Sequence, residues 1–134
     1  MSVEAALQKA IVGKLKADAA LSAIIAGRIY DRVPAGAALP YVAIRNIQAV
    51  EDGADCIDGL EVFIDLDVWS NAVGKVEASR AASAVRAALS LMPLVLDEPY
   101  ALTEIGHRDT NIGDGGEEIL TRARMTFRAL VESA

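Results

Sequence analysis

The sequence predicts an α+β fold: a two-layer sandwich in which two main helices cover one face of a mostly antiparallel sheet. Three observations lead there. Apolar residues recur at helical spacing in two stretches, one near the start of the chain and one in its middle. A central stretch alternates apolar and polar residues with the period of two that a half-buried strand requires. The links between neighbouring elements are short, which favours antiparallel pairing and gathers the helices on one side. The expected order is helix, strand, strand, strand, helix, strand, strand. The 134 residues are expected to form one domain, residues 1–134, at the roughly 100–200 residues usual for one.

Ser2 is placed to cap a helix opening at Val3, with Glu4 near its positive end. Val3, Leu7, Ile11 and Leu15, joined by Ala10, make its apolar stripe, with Gln8, Lys9, Lys14 and Lys16 off it. Asp18 caps a second, short turn through Leu21, Ile24 and Ile25, and Gly27 stands where helices commonly stop. Arg28 to Arg32 is a short strand. Two prolines and a glycine make Val33 to Pro40 a loop. Tyr41 to Val50 is a strand with Val42, Ile44 and Val50 on one face and Tyr41, Arg45 and Ile47 on the other. The clearest strand runs from Ile57 to Trp69. It sets Leu60, Val62, Ile64, Leu66 and Val68 on a core face, and Glu61, Phe63, Asp65, Asp67 and Trp69 on a more exposed one.

Ser70 or Asn71 is the expected cap of the second long helix, which ends before Pro93. Its buried stripe is Ala78, Ala81, Ala82, Val85, Ala88, Leu89 and Met92. So much alanine lets the helix approach its sheet closely. Val76 and Leu91 fall off the stripe and are candidates for a subunit contact. After a short extended piece at Leu94 to Leu96, Ala101 to Asp109 is a weaker strand. Thr110 to Glu117, with its three glycines, is expected to be a long hairpin loop. The last strand, about Glu118 to Val131, turns Ile119, Ala123, Met125, Phe127, Ala129 and Val131 one way, and Arg122, Arg124, Thr126 and Arg128 the other.

Composition excludes several classes. Lys and Arg number 13 against 19 Asp and Glu, a formal net charge of −6, so a phosphate backbone meets mostly repulsion. Aromatic residues are 4%, too few for base-stacking platforms. One cysteine and one histidine make neither an internal disulfide nor a four-ligand zinc site. The amino terminus lacks the basic and apolar regions of a signal peptide, and no apolar run approaches the roughly 20 residues that span a bilayer. Synthesis in the cytosol and no membrane partner are therefore expected.

Candidate chemistry is sparse. Glu51, Asp52, Asp55, Asp58, Glu61, Asp65 and Asp67 form an acidic stretch with no Lys or Arg inside it, but their spacing matches no calcium loop. No nucleophile, metal ligand or histidine converges on Asp65 and Asp67, so acid–base catalysis is not expected there. The arginine row Arg122, Arg124 and Arg128 is suited to pair with that acidic strand, within the subunit or across an interface. His107 and Cys56 read as structural. Gly113 to Gly116 lacks the Lys-Ser/Thr of a phosphate loop. Neither an enzyme nor a cofactor is expected: no catalytic, cofactor-binding or metal residues stand out.

Several stretches in order carry a resemblance: Gly27 to Pro34, Pro40 to Ile44, Leu66 to Ser70 running into Gly74 to Ala78, and Arg124 to Leu130. Together they resemble the tail-completion, or tail terminator, proteins of long-tailed phages and phage-like gene transfer agents. The resemblance spans essentially the whole chain. It implies a structural protein of the virion tail that forms a ring, typically a hexamer, at the head–tail junction. Such a ring stops growth of the tail tube and joins it to a head-side connector or stopper, while DNA passes through without specific binding. The implied partners are further copies of the chain, the tube protein and the connector. The family's signature residues fall on Tyr30, Tyr41 and Trp69. On these grounds Arg122, Arg124, Arg128, Asp65 and Asp67 are expected at subunit interfaces, Glu51, Asp52, Asp55 and Asp58 facing the lumen, and Leu39 and Ile112 in loops docking a partner. Another head–tail junction component, such as a head-closure ring or minor tail protein, is the alternative. A small cytosolic ligand-binding domain is a further one.

Overall fold

The alternating stretch in the middle of the chain becomes the central strand of the sheet. The structure, a computed structural model, describes residues 2–51, 59–90, 94–116 and 120–133. The order is α1 (Val3–Ala17), α2 (Ala19–Ile25), β1 (Ile29–Tyr30), β2 (Tyr41–Glu51), β3 (Gly59–Ser70), α3 (Val76–Ser90), β4 (Tyr100–Asp114) and β5 (Thr121–Ser133). The five strands lie in the order β1-β2-β3-β5-β4. All neighbours are antiparallel except β1 and β2, which run parallel because the ten-residue connection carries the chain back to the start of β2. The α+β sandwich read from the sequence is the fold observed.

The helix ends follow their caps. Ser2 Oγ accepts a hydrogen bond from the Ala5 N–H at 3.1 Å, and Asp18 Oδ2 accepts one from the Leu21 N–H at 2.9 Å. Val3, Leu7, Ile11 and Leu15 are buried as the spacing requires. In α3, Ala78, Ala81, Ala82, Val85, Ala88 and Leu89 are buried against the sheet; Met92 and Leu91 lie outside the described residues. Val62, Ile64, Leu66 and Val68 of β3 and Ala123, Met125, Phe127, Ala129 and Val131 of β5 complete one continuous core. Each fully buried Leu, Ile or Phe there contributes on the order of 1.5–3 kcal/mol.

Three local expectations are corrected. A β-bulge between Ile44 and Asn46 inserts Arg45 as an extra residue, so the two faces of β2 exchange beyond it. Ile47 and Ala49 turn toward the helices and pack on the core, and Val50, opposite Glu61, lies on the other face and is exposed. The cap of α3 is not Ser70 or Asn71. The helix opens only at Val76, and Ser70 Oγ instead donates to Glu77 Oε1 at 2.7 Å and accepts from the Ala72 N–H. The hairpin loop is shorter than expected. Thr110 to Asp114 belong to β4 and pair with Met125 to Thr121, because a complete ladder against β5 outweighs the weak strand propensity of Asn, Gly and Asp.

Candidate assembly interface

The helices cover one face of the sheet. The other face has no layer over it among the described residues, and it carries the charged residues singled out in the sequence. On β3, Asp67 is buried, 3% exposed, in spite of its charge. Its carboxylate is held from two sides. Arg122 Nη2 donates to Oδ2 at 2.6 Å, and Arg45 Nε donates to Oδ1 at 3.2 Å. Arg45 also reaches Asp65 Oδ2 at 3.6 Å, and Thr126 donates to Asp65 Oδ1 at 2.7 Å. Further along the strand, Arg128 Nε donates to Glu61 Oε2. The bulge is what brings Arg45 into this set, because it is the extra residue facing Asp65 and Asp67.

Two aromatic rings complete the face. The Arg122 guanidinium lies 5.0 Å from the centroid of Trp69, and that of Arg108 lies 5.2 Å from the centroid of Phe63. Trp69 is pinned on another side by Gly115, where an added Cβ would stand 2.7 Å from Trp69 Cζ3. Gly115 is therefore a close-approach glycine that fixes the ring at the end of the strand. Tyr30 and Tyr41 meet edge to face at 5.7 Å where β1 joins β2, and burial, then the charge of Tyr30, raises the Tyr41 hydroxyl above its ordinary pKa.

The arginine row thus divides. Arg122 and Arg128 are consumed by carboxylates of their own subunit. Arg124 stands directly opposite Asp67 in the ladder, yet it is exposed and makes no ion pair among the described residues. Charge pairing inside the chain was one of the two roles expected of this row, and for Arg122 and Arg128 it is the one observed. Both oxygens of Asp67 are occupied by guanidinium groups.

The remaining candidates are scattered. Glu51 is exposed at the end of β2, while Asp52, Asp55, Cys56 and Asp58 lie outside the described residues. Leu39 is in the connection before β2, as expected, and is half-buried. Ile112 is not in a loop. It sits within β4 opposite Ala123, half-buried against the core. His107 is on the helix side of β4, edge to face with Phe127 at 5.5 Å and 2.6 Å from Thr110 Oγ1 through Nε2. Burial, then the Arg86 guanidinium, lowers its pKa, and Asp109 opposes that shift. No group of three or more metal-ligating side chains gathers among the described residues.

An open groove of about 830 Å³ runs between α2 and α3, with Ile24, Val73, Val76 and Arg80 on its walls. Val76, expected off the helix stripe, is indeed exposed, and so is Val73, which the sequence reading missed. Val73 precedes the positive-φ Gly74 in the segment that replaced the first turn of the helix, so its exposure follows from the late start of α3.

Comparison with known proteins gives a consistent set. The family model described as "Tail completion protein gp17" matches residues 9–132. A chain of the virion of a native gene transfer agent particle superposes with a TM-score of 0.90 at 30% identity, covering 98% of each chain. The gp17 protein of bacteriophage SPP1 shares the fold, with a TM-score of 0.63 at 20% identity over 94% of this chain and 88% of that one. No curated protein matches the sequence.

Proposed function

Because the chain belongs to the tail completion protein family, whose members are structural virion proteins, we propose that it completes the tail of a phage-like particle. In this reading several copies, six by the family's habit, close into a ring on the finished end of the tail tube. The ring stops polymerisation and offers its other side to the head-side connector. The observation that carries the reading is the match, over nearly the full length of both chains, with a chain of a gene-transfer-agent virion.

A closed ring needs heterologous contacts, in which one patch of each subunit meets a different patch of the next. Arg124 is the cation of its row with no intrachain ion pair among the described residues, and it is the one we assign to a carboxylate of another chain. Glu51, Asp52, Asp55 and Asp58 concentrate negative charge in the stretch of sequence between the end of β2 and the start of β3. Facing the lumen, they would give passing DNA no cation to hold. Deletion of the gene from cells that make the particle should yield tubes of unregulated length without heads. Joined particles of normal tail length would contradict the proposal.

A further inference from the structure

We propose that the sheet itself continues from one copy to the next: the outer edge of β4 pairs, antiparallel, with the outer edge of β2 of a second copy. This rests on the ring reading above and specifies the contact that closes it.

The strand order leaves two edges open on opposite sides of the sheet. Among the described residues β4 pairs only with β5, along Tyr100–Asp114. On the far side, β1 covers only Val42 and Ala43, so Ile44 to Glu51 of β2 has no outer neighbour among the described residues. Long open edges invite pairing, and proline is one of the residues that blocks it. Neither stretch contains a proline. The bulges near Thr103 and Arg108 divide β4 into three regular runs, Tyr100 to Leu102, Glu104 to His107 and Asp109 to Asp114, which remain available.

Polarity fits without rearrangement. From β2 through β3 and β5 to β4 every neighbour is antiparallel, so β2 and β4 point in opposite directions. A second copy rotated about an axis along the strands therefore brings its β2 antiparallel to this β4, repeating the pairing used inside the chain. Because the two edges differ, the contact is heterologous and can propagate around a ring.

Burial points the same way. On the helix face the central residues Val62, Ile64, Met125 and Ala129 are fully buried. Ile47 and Ala49 on one edge, and Leu102 and Ile105 on the other, pack on the same core but are only partly covered. A further strand at each edge would cover them. Heights also correspond. Asn46 lies level with Asp109 through the chain of pairs Asn46–Asp65–Thr126–Asp109, and Glu51 with Leu102 through Glu51–Leu60–Val131–Leu102, so the open run of β2 and the outer edge of β4 cover the same stretch along the strands.

The test is cysteine pairing on a chain carrying Cys56→Ser. One set of variants carries Asn46→Cys, Gln48→Cys or Val50→Cys on β2. The other carries Glu104→Cys, Gly106→Cys or Asp109→Cys on β4. All six positions are exposed, and a Cβ on Gly106 meets nothing within 4 Å. A slip of one residue would turn the core face outward, so registers differ in steps of two, which this grid spans. Disulfides need Cα atoms about 4.4–6.8 Å apart, so only true neighbours cross-link. The expected result is covalent dimers on oxidation in at least one β2–β4 mixture. A chain carrying both cysteines of that pair should give a ladder ending at the ring. Cross-linking of β4 variants with themselves would mean two-fold pairing and overturn the proposal. So would rings of full mass with no cross-link in any mixture, a result that leaves the ring reading intact. A chain that stays monomeric even with tail tubes overturns both.

Discussion

The two faces of this sheet solve the same problem by different means. Behind it, β3 and β5 bury Val62, Ile64, Leu66, Met125 and Phe127 under helices whose alanine stripes allow close approach. In front, the same strands carry Glu61, Asp65, Asp67, Arg122 and Arg128, interlocked with Arg45 from the bulge in β2. The first face is held by the non-directional removal of apolar surface from water. The second is held by directional pairs whose worth depends on burial: Asp67 is shielded, whereas Arg128 and Arg124 are not. The lesson is that the apolar face sets stability, while the charged face fixes strand register and leaves one arginine to look outward.

That contrast can be broken most forcefully from behind. Phe127→Ala removes the largest fully buried side chain and should cost about 4 kcal/mol, read as a lower urea midpoint with an unchanged slope. In front, Asp67→Ala leaves the Arg122 guanidinium largely buried without its carboxylate and should cost about 3 kcal/mol by the same measurement. Arg128→Ala breaks a half-exposed pair and should cost less than about 1 kcal/mol, an effect that shrinks further in high salt. Arg124→Gln should cost no more than about 0.5 kcal/mol by the same measurement while weakening ring formation in a sizing experiment. An equal loss of stability for Arg124 and Arg128 variants would erase the distinction drawn between them.

The smallest expected effect is in pH. The folded state holds His107 below its ordinary pKa of 6.5. The unfolded chain therefore takes up the proton first as pH falls. Stability should be level above that value and decline as pH drops from it toward the folded pKa. His107→Gln should flatten that slope in unfolding midpoints measured across the interval.

How legible this was in the sequence varies with the kind of signal. The stripes of α1 and α3 and the alternation of β3 are periodic over many residues, so the layers and the order of elements were readable. Ser2 and Asp18 named their helix starts because a side-chain oxygen before an apolar stripe has few other uses. Arg45 was not readable: a bulge adds one residue without changing composition, and only the ladder to β3 reveals that Ile47 and Val50 have exchanged faces. Thr110 to Asp114 looked like a loop because Asn, Gly and Asp have weak strand propensity of their own, and their place in the sheet is decided by the ladder to Thr121–Met125. The division of the arginines was likewise hidden. Alternation places Arg122, Arg124 and Arg128 on one face, but which of them reaches a carboxylate depends on the diagonal lean of Arg122 from its Trp69 position to Asp67.

Closure of the chain into a ring on tail tubes is the property on which the assembly depends. Light scattering on the purified protein, repeated after mixing with tubes and paired with negative-stain images, measures this. A tail-completing ring should appear as a discrete species of about 85 kDa, six copies of the 14.1 kDa chain, with capped tube ends. A 14.1 kDa monomer at every concentration, with tube ends left bare, would contradict it.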